Sequence, residues 1–164
     1  MARLDQVRAD RGEGVKSADG WIRCAQGHTH WGRVGAAGLL VIHTDADGTT
    51  RHLLQHRGRI VQKALTWGIP GGALAHGESP IDGALREAGE EMQPELTDLR
   101  HRFTYVDDHD GWSYHTVVMD TTTMPELSGG WETGPGGLKW ATASELEQLD
   151  LHPGFAATWP LLGI

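Results

Sequence analysis

Three glutamates, Glu87, Glu90 and Glu91, stand at i, i+3 and i+4 within residues 71–91. On a helix they share one face. Three carboxylates this close repel one another when all are ionised, so either their pKa values rise or a cation neutralises them. Hard divalent cations take oxygen ligands, and Mg²⁺ is typically held by a few carboxylates together with substrate phosphates. Arg86 lies at i, i+4 from Glu90 and can hold that carboxylate in place. Most charge runs are solvated faces and nothing more. Two features weigh against that reading. The stretch contains Gly83 and Gly89, each costing a helix about 1 kcal/mol relative to alanine. It also follows Pro70-Gly71-Gly72, a turn at which backbone can come close to a ligand.

The element that must carry these groups has clear ends. Ser79 can cap a helix, Pro80 suits its first position, and Asp82 suits the third position of a capping box. Ile81, Ala84, Leu85, Ala88 and Met92 recur at helical spacing on the opposite, apolar face. Pro94 stops the helix.

Other candidate ligands read differently. Cys24, His28 and His30 have the spacing Cys-x3-His-x-His, with no second cysteine, whereas a structural zinc site needs four ligands. They are expected to be a packed thiol and two surface histidines. Asp45, Asp47 and Gly48 suggest a calcium loop, but its first and twelfth positions would be His43 and Leu54. For Asp108, Asp110 and Gly111 those positions are Val106 and Val117, so both segments read as turns.

The chain has 164 residues, enough for one domain with a sizeable core. Its formal net charge of −8 and pI of about 5.6 argue against a nucleic-acid polymer as partner. A polyanionic small molecule can still bind through a metal. With the single Cys24 no intramolecular disulfide forms. No apolar run approaches a membrane span, and residues 1–20 hold no signal-peptide pattern. The expectation is a soluble cytoplasmic protein.

Residues 1–20 read as a mobile or loosely helical arm. Residues 34–42 form a buried strand, and residues 51–56 return as its hairpin partner. After a polar connection at 57–62, residues 66–69 are a short strand leading into the glycine turn, with residues 73–75 continuing beyond it. Residues 101–106 and 112–119 are two antiparallel strands around an Asp-Gly turn. Residues 121–130 are a loop, 138–141 a strand, and 144–149 and 155–162 short helices, with Thr142 or Ser144 as a cap.

Gly72, five residues, Glu78, seven residues, then Arg86-Glu87-Ala88-Gly89-Glu90-Glu91 resembles the signature of the Nudix hydrolases, and Trp-Gly-Ile-Pro-Gly-Gly at 67–72 resembles their lead-in strand and turn. The family usually continues with a residue, then glycine, then an aliphatic residue. Here the last two are Gln93 and Pro94, a departure that bears on the helix exit rather than on the carboxylate face. The resemblance implies a Nudix-like α/β/α sandwich with a central mixed sheet over residues 32–164, preceded by an N-terminal arm, 1–31, of unassigned role.

It further implies a metal-dependent pyrophosphohydrolase that cleaves a nucleoside diphosphate derivative: a nucleoside triphosphate, an oxidised nucleotide or a sugar nucleotide. Glu87, Glu90, Glu91 and the Gly71 carbonyl would hold Mg²⁺, or Mn²⁺, against the phosphates. Glu87 is the expected general base, with Glu132 as the other candidate in the Gly-rich loop 129–134, where the family often places an acidic residue. Glu126, six residues earlier in the same linker, is the fallback. Arg86 would orient the cluster, and Glu78 would support it. Gly71 and Gly72 would approach substrate. Trp131, like Trp31 and Trp112, flanks a loop and could stack on a base. The rival reading is a catalytically weak nucleotide-binding or sensing module on the same scaffold. The intact set Arg86, Glu87, Glu90 and Glu91 favours the enzyme.

Overall fold

The computed structural model describes residues 16–59 and 63–164. Strands β1 (Trp21–Arg23) and β2 (Thr29–Trp31) form a small hairpin. Next come β3 (Ala36–Thr44), β4 (Thr50–Arg57), β5 (Trp67–Gly68), β6 (Gly71–Ala73) and helix α1 (Pro80–Glu91). Then follow β7 (Met92–Gln93), β8 (Arg100–Asp108), β9 (Ser113–Thr121), β10 (Ser128–Gly129) and β11 (Thr133–Ala141). Two short helices, α2 (Ala143–Leu146) and α3 (Pro153–Thr158), and a 3-10 turn at Trp159–Leu161 close the chain.

The main sheet runs β11-β4-β3-β9-β8, with β5 added on β4 and β6 on β3. It is mixed, because β3 and β9 pair in parallel while β3 pairs antiparallel with β4 and β6. Alternation along the central strands splits the core in two. Ala37, Leu39, Val41, Leu53, Val117 and Met119 pack with Ala84, Ala88 and Met92 of the α1 side. Leu40, Ile42, Leu54 and Val118 pack on the other face with Leu146, Phe155 and Leu162. A sheet buried on both faces reads as a near-continuous apolar run, which is how β3 reads in the sequence. The result is the expected α/β/α sandwich with a central mixed sheet.

Helix α1 begins as its sequence dictates. The Ser79 hydroxyl accepts the Asp82 N–H at 3.1 Å, and Pro80 occupies the first turn. Its end is sharper than the apolar spacing implies, since Met92 is already extended at φ −130°. The departure from the family pattern therefore falls at a short strand, of which Gln93 is the last residue. Met92 and Gln93 of β7 pair with Gly129 and Ser128 of β10, inside the segment expected to be loop throughout. Two further boundaries differ. The strand after the glycine turn starts at Gly71 rather than Ala73, held against β3 by pairing of Gly71 with Gly38 and Gly72 with Ala37. Strand β11 reaches back to Thr133, through a register shift between Thr133 and Leu138.

Residues 16–31 lie against the sandwich. His76 N–H donates to the Lys16 carbonyl at 3.0 Å and Arg33 N–H to the Ala18 carbonyl at 2.9 Å. Cys24 is buried with Ala36 and Trp112, and Ile22 packs beside them. Residues 1–15, the greater part of the expected mobile or helical arm, lie outside the described residues, as do residues 60–62 of the polar connection.

Candidate active site

The α1 carboxylates meet the glycine turn across a narrow gap. A β-carbon placed on Gly72 would lie 2.5 Å from the Glu87 carboxyl carbon, so only glycine lets Glu87 fold back over β6. On Gly71 it would lie 2.5 Å from the Ala37 carbonyl oxygen, so that glycine is required by strand pairing instead.

Arg86 is the keystone of the cluster. Its guanidinium donates to both Glu78 carboxylate oxygens, at 2.8 and 3.0 Å, to Glu87 Oε1 at 2.7 Å and to the Ala73 carbonyl at 3.0 Å. Glu90 Oε1 lies 3.5 Å away, the expected i, i+4 pair. The Glu78 side chain also accepts the Ala75 N–H at 2.9 Å. Glu78 thus ties arginine, strand end and helix start together. Burial raises its pKa, but the bonds from Arg86 and the Ala75 N–H outweigh burial and leave it below the ordinary value. These contacts fix the Arg86 fork in one geometry, which a lysine could not reproduce.

Glu87 and Glu91 sit in a different environment. Burial raises the Glu87 pKa against the opposing pull of Arg86. Glu91 is 8% exposed, and its carboxyl is pushed up to about 8, by burial first and then by the charges of Glu132 and Glu87. Its Oε2 is buried without a hydrogen-bond partner. Glu132 therefore faces the α1 cluster. The approach is built by the helix exit. Gly130 N–H donates to the Glu91 carbonyl at 2.7 Å, and Gly58 N–H donates to the Glu132 carbonyl at 2.6 Å. Glu126 is exposed and lies with Gln93 and Pro94 at a separate surface hollow.

A cleft of about 670 Å³ opens over this cluster. Gly71, Gly72, Arg86, Glu87, Glu90 and Glu132 line it. Trp131 stands at its rim, 75% exposed. Trp112, by contrast, is buried and donates its Nε1–H to the Gly32 carbonyl at 2.8 Å, so it is a packing residue. Of the other residues that line the cleft, sequence reasoning named Trp31 as a possible base platform but missed Trp21 and Arg57. Trp21 and Trp31 are paired across the β1–β2 hairpin with ring centroids 5.2 Å apart. Their signal was the alternation of residues 21–23 and 29–31 around a short turn, too brief to register as strands.

The donor set suits a hard divalent cation. Carboxylate oxygens predominate, the most buried carboxylate has an oxygen without a partner, and Arg86 is engaged by Glu78 and Glu87. A cation would satisfy Glu91 Oε2 and relieve the repulsion that raises its pKa.

The NUDIX domain family model matches residues 33–160. A Mycobacterium tuberculosis protein named "Putative 8-oxo-dGTP diphosphatase 3" is 40% identical over 167 aligned residues, spanning 98% of this chain and 73% of that one. A "Nucleoside triphosphate pyrophosphatase/Nudix hydrolase fusion protein" of Bifidobacterium longum is 48% identical over 101 residues, 60% of this chain and 21% of its own. Among solved structures, a Nudix hydrolase from M. smegmatis, RenU, superposes with a TM-score of 0.80 at 35% identity, covering 88% of this chain and 92% of the other.

Proposed function

The chain belongs to the Nudix family and is a hydrolase of diphosphate anhydride bonds, and from that premise we propose that it cleaves nucleoside triphosphates, oxidised purine triphosphates foremost, with Mg²⁺ as cofactor. The observation that supports this reading is the buried Glu91 carboxyl, its Oε2 without a hydrogen-bond partner, facing Glu87 and Glu132 beneath an open cleft. The substrate class rests on the similarity to the mycobacterial relative. The exposed Trp131 and the Trp21–Trp31 pair at the rim support it, since aromatic faces stack on any base.

In this mechanism Glu87, Glu90, Glu91 and the Gly71 carbonyl would hold the cation, with Glu132 closing the cluster from the loop side. A bound Mg²⁺ supplies charge neutralisation at the phosphates and a more acidic water. Glu87 takes the proton from the attacking water. Arg86 fixes one of its oxygens, and burial keeps its basicity above that of an ordinary glutamate. Arg86 positions Glu87 and Glu90, and Glu78 positions Arg86. Gly72 lets Glu87 close over the turn, and Gly71 and Gly72 line the cleft that would take the phosphates.

The test is a product analysis. The protein is incubated with Mg²⁺ and, separately, 8-oxo-dGTP, dGTP, sugar nucleotides and dinucleotides. Release of nucleoside monophosphate and pyrophosphate, fastest from the oxidised triphosphate, supports the reading. A preference for sugar nucleotides or dinucleotides overturns the substrate class. Binding without turnover of any of them favours a sensing module.

A further inference from the structure

A second cluster of ligand-bearing side chains lies outside the carboxylate site. Cys24, His28, His30 and His109 each bring one candidate ligand atom to within 4.8 Å of all the others. The first three come from the β1–β2 hairpin, where the Cys24 N–H donates to the His28 carbonyl at 2.9 Å and Gly27, at φ +87°, makes the turn. His109 comes from the turn between β8 and β9, 81 residues beyond His28. The two segments are joined by an Ala25 N–H bond to the Asp110 carbonyl at 2.9 Å. The fourth ligand absent from the local sequence is therefore supplied across the fold.

Three details go beyond proximity. His28 Nδ1 and His109 Nδ1 face each other at 3.5 Å. Two imidazoles on one tetrahedral zinc, at 2.0–2.1 Å each, would stand roughly 3.4 Å apart. The other nitrogen of His109, Nε2, lies 3.0 Å from Asp107 Oδ2. A carboxylate holding the far N–H of an imidazole leaves the near nitrogen with its lone pair toward the cluster, as at ligating histidines. Finally, His30 Nε2 is buried without a hydrogen-bond partner. Its ring is locked by stacking on Trp112, centroids 3.9 Å apart and planes within 6°. Packing alone leaves that buried polar atom unsatisfied, which is costly.

We propose that Cys24, His28, His30 and His109 form a structural Zn²⁺ site that clamps the N-terminal hairpin to the β8–β9 turn. One thiolate and three neutral imidazoles complete a tetrahedral shell, which suits a structural rather than a catalytic zinc. The Cys24 thiol proton passes to solvent as the ion binds. The consequence reaches the cleft, because the clamped hairpin carries Trp21 and Trp31.

The experiment uses the full chain, purified without a histidine tag. Zinc content is measured after dialysis, and Co²⁺ is then substituted. Cys24 is the single cysteine, so a thiolate-to-cobalt charge-transfer band can come from this site alone and never from the glutamate cluster. The expected result is one zinc per chain, that band together with tetrahedral d–d bands, and loss of both in Cys24→Ser. Asp107→Asn should weaken zinc binding about 10–100-fold. Wild-type protein that shows no charge-transfer band with Co²⁺ overturns the proposal, whether or not Cys24→Ser folds. So does wild-type zinc content equal to that of a folded Cys24→Ser variant.

Discussion

Glu91 and Glu132 face each other because one ends a helix and the other rides a loop tied to that helix end. The Glu91 carboxyl titrates near 8 in the folded chain against 4.5 for an unperturbed glutamate. The folded state therefore holds more protons than the unfolded one between these values, and stability falls as pH rises across that window. In cation-free protein the melting temperature should drop from about pH 4.5 to about pH 8. Glu91→Gln should flatten the profile, and added Mg²⁺ should restore stability at the alkaline end. A wild-type profile as flat as the variant's would contradict this placement. Glu132→Gln should lower kcat by about 10²-fold or more while the fold persists. Glu126→Gln removes a similar charge from an exposed position and should be near silent in steady-state kinetics. Equal loss in both variants would mean that only bulk negative charge matters. The α1 glutamates were legible because a helix converts sequence spacing into a shared face. Glu132 was legible only through resemblance, and His109 not at all, because its partners come from a distant hairpin.

At the scale of elements, the glycine turn does two separate jobs. Gly72 gives way to a flexible carboxylate, so Gly72→Ala should displace Glu87 and cut kcat while the fold persists. Gly71 abuts the Ala37 carbonyl and the Gly38 Cα, both backbone, so Gly71→Ala should force β6 from β3 and cost roughly 1–3 kcal/mol. Thermal melts and kinetics on the two variants separate these effects, and a purely kinetic defect in Gly71→Ala would refute the division. Helix α1 and the hairpins β3–β4 and β8–β9 could be read from periodicity and turn residues. The short β7–β10 pairing could not, because two-residue strands carry no period. Yet it explains how the chain accommodates Gln93 and Pro94. The helix exit becomes the strand that anchors the Glu132 loop.

At the scale of the molecule, the main sheet places the glycine strand, the carboxylate helix and the Glu132 loop around the cleft, and the β1–β2 hairpin adds Trp21 and Trp31. Strand β3 holds the glycine strand β6 at one edge of the cleft, α1 packs on the Leu39 and Val117 face, and β11 brings the loop before it over the helix end. None of the described helices is long and apolar enough to cross a membrane. The layered order was legible only through the family resemblance, and the strand neighbours depended on long-range pairing that no local pattern encodes. The central claim is that diphosphate hydrolysis depends on a divalent cation held by the α1 glutamates. It is tested most directly by measuring turnover of metal-stripped protein against added Mg²⁺ for wild type, Glu90→Gln and Glu91→Gln. The account predicts no turnover after exhaustive chelation, full recovery of the wild type with Mg²⁺, and both variants needing more Mg²⁺ while losing most of kcat. Turnover that survives chelation, or kinetics unaltered in both variants, would contradict it.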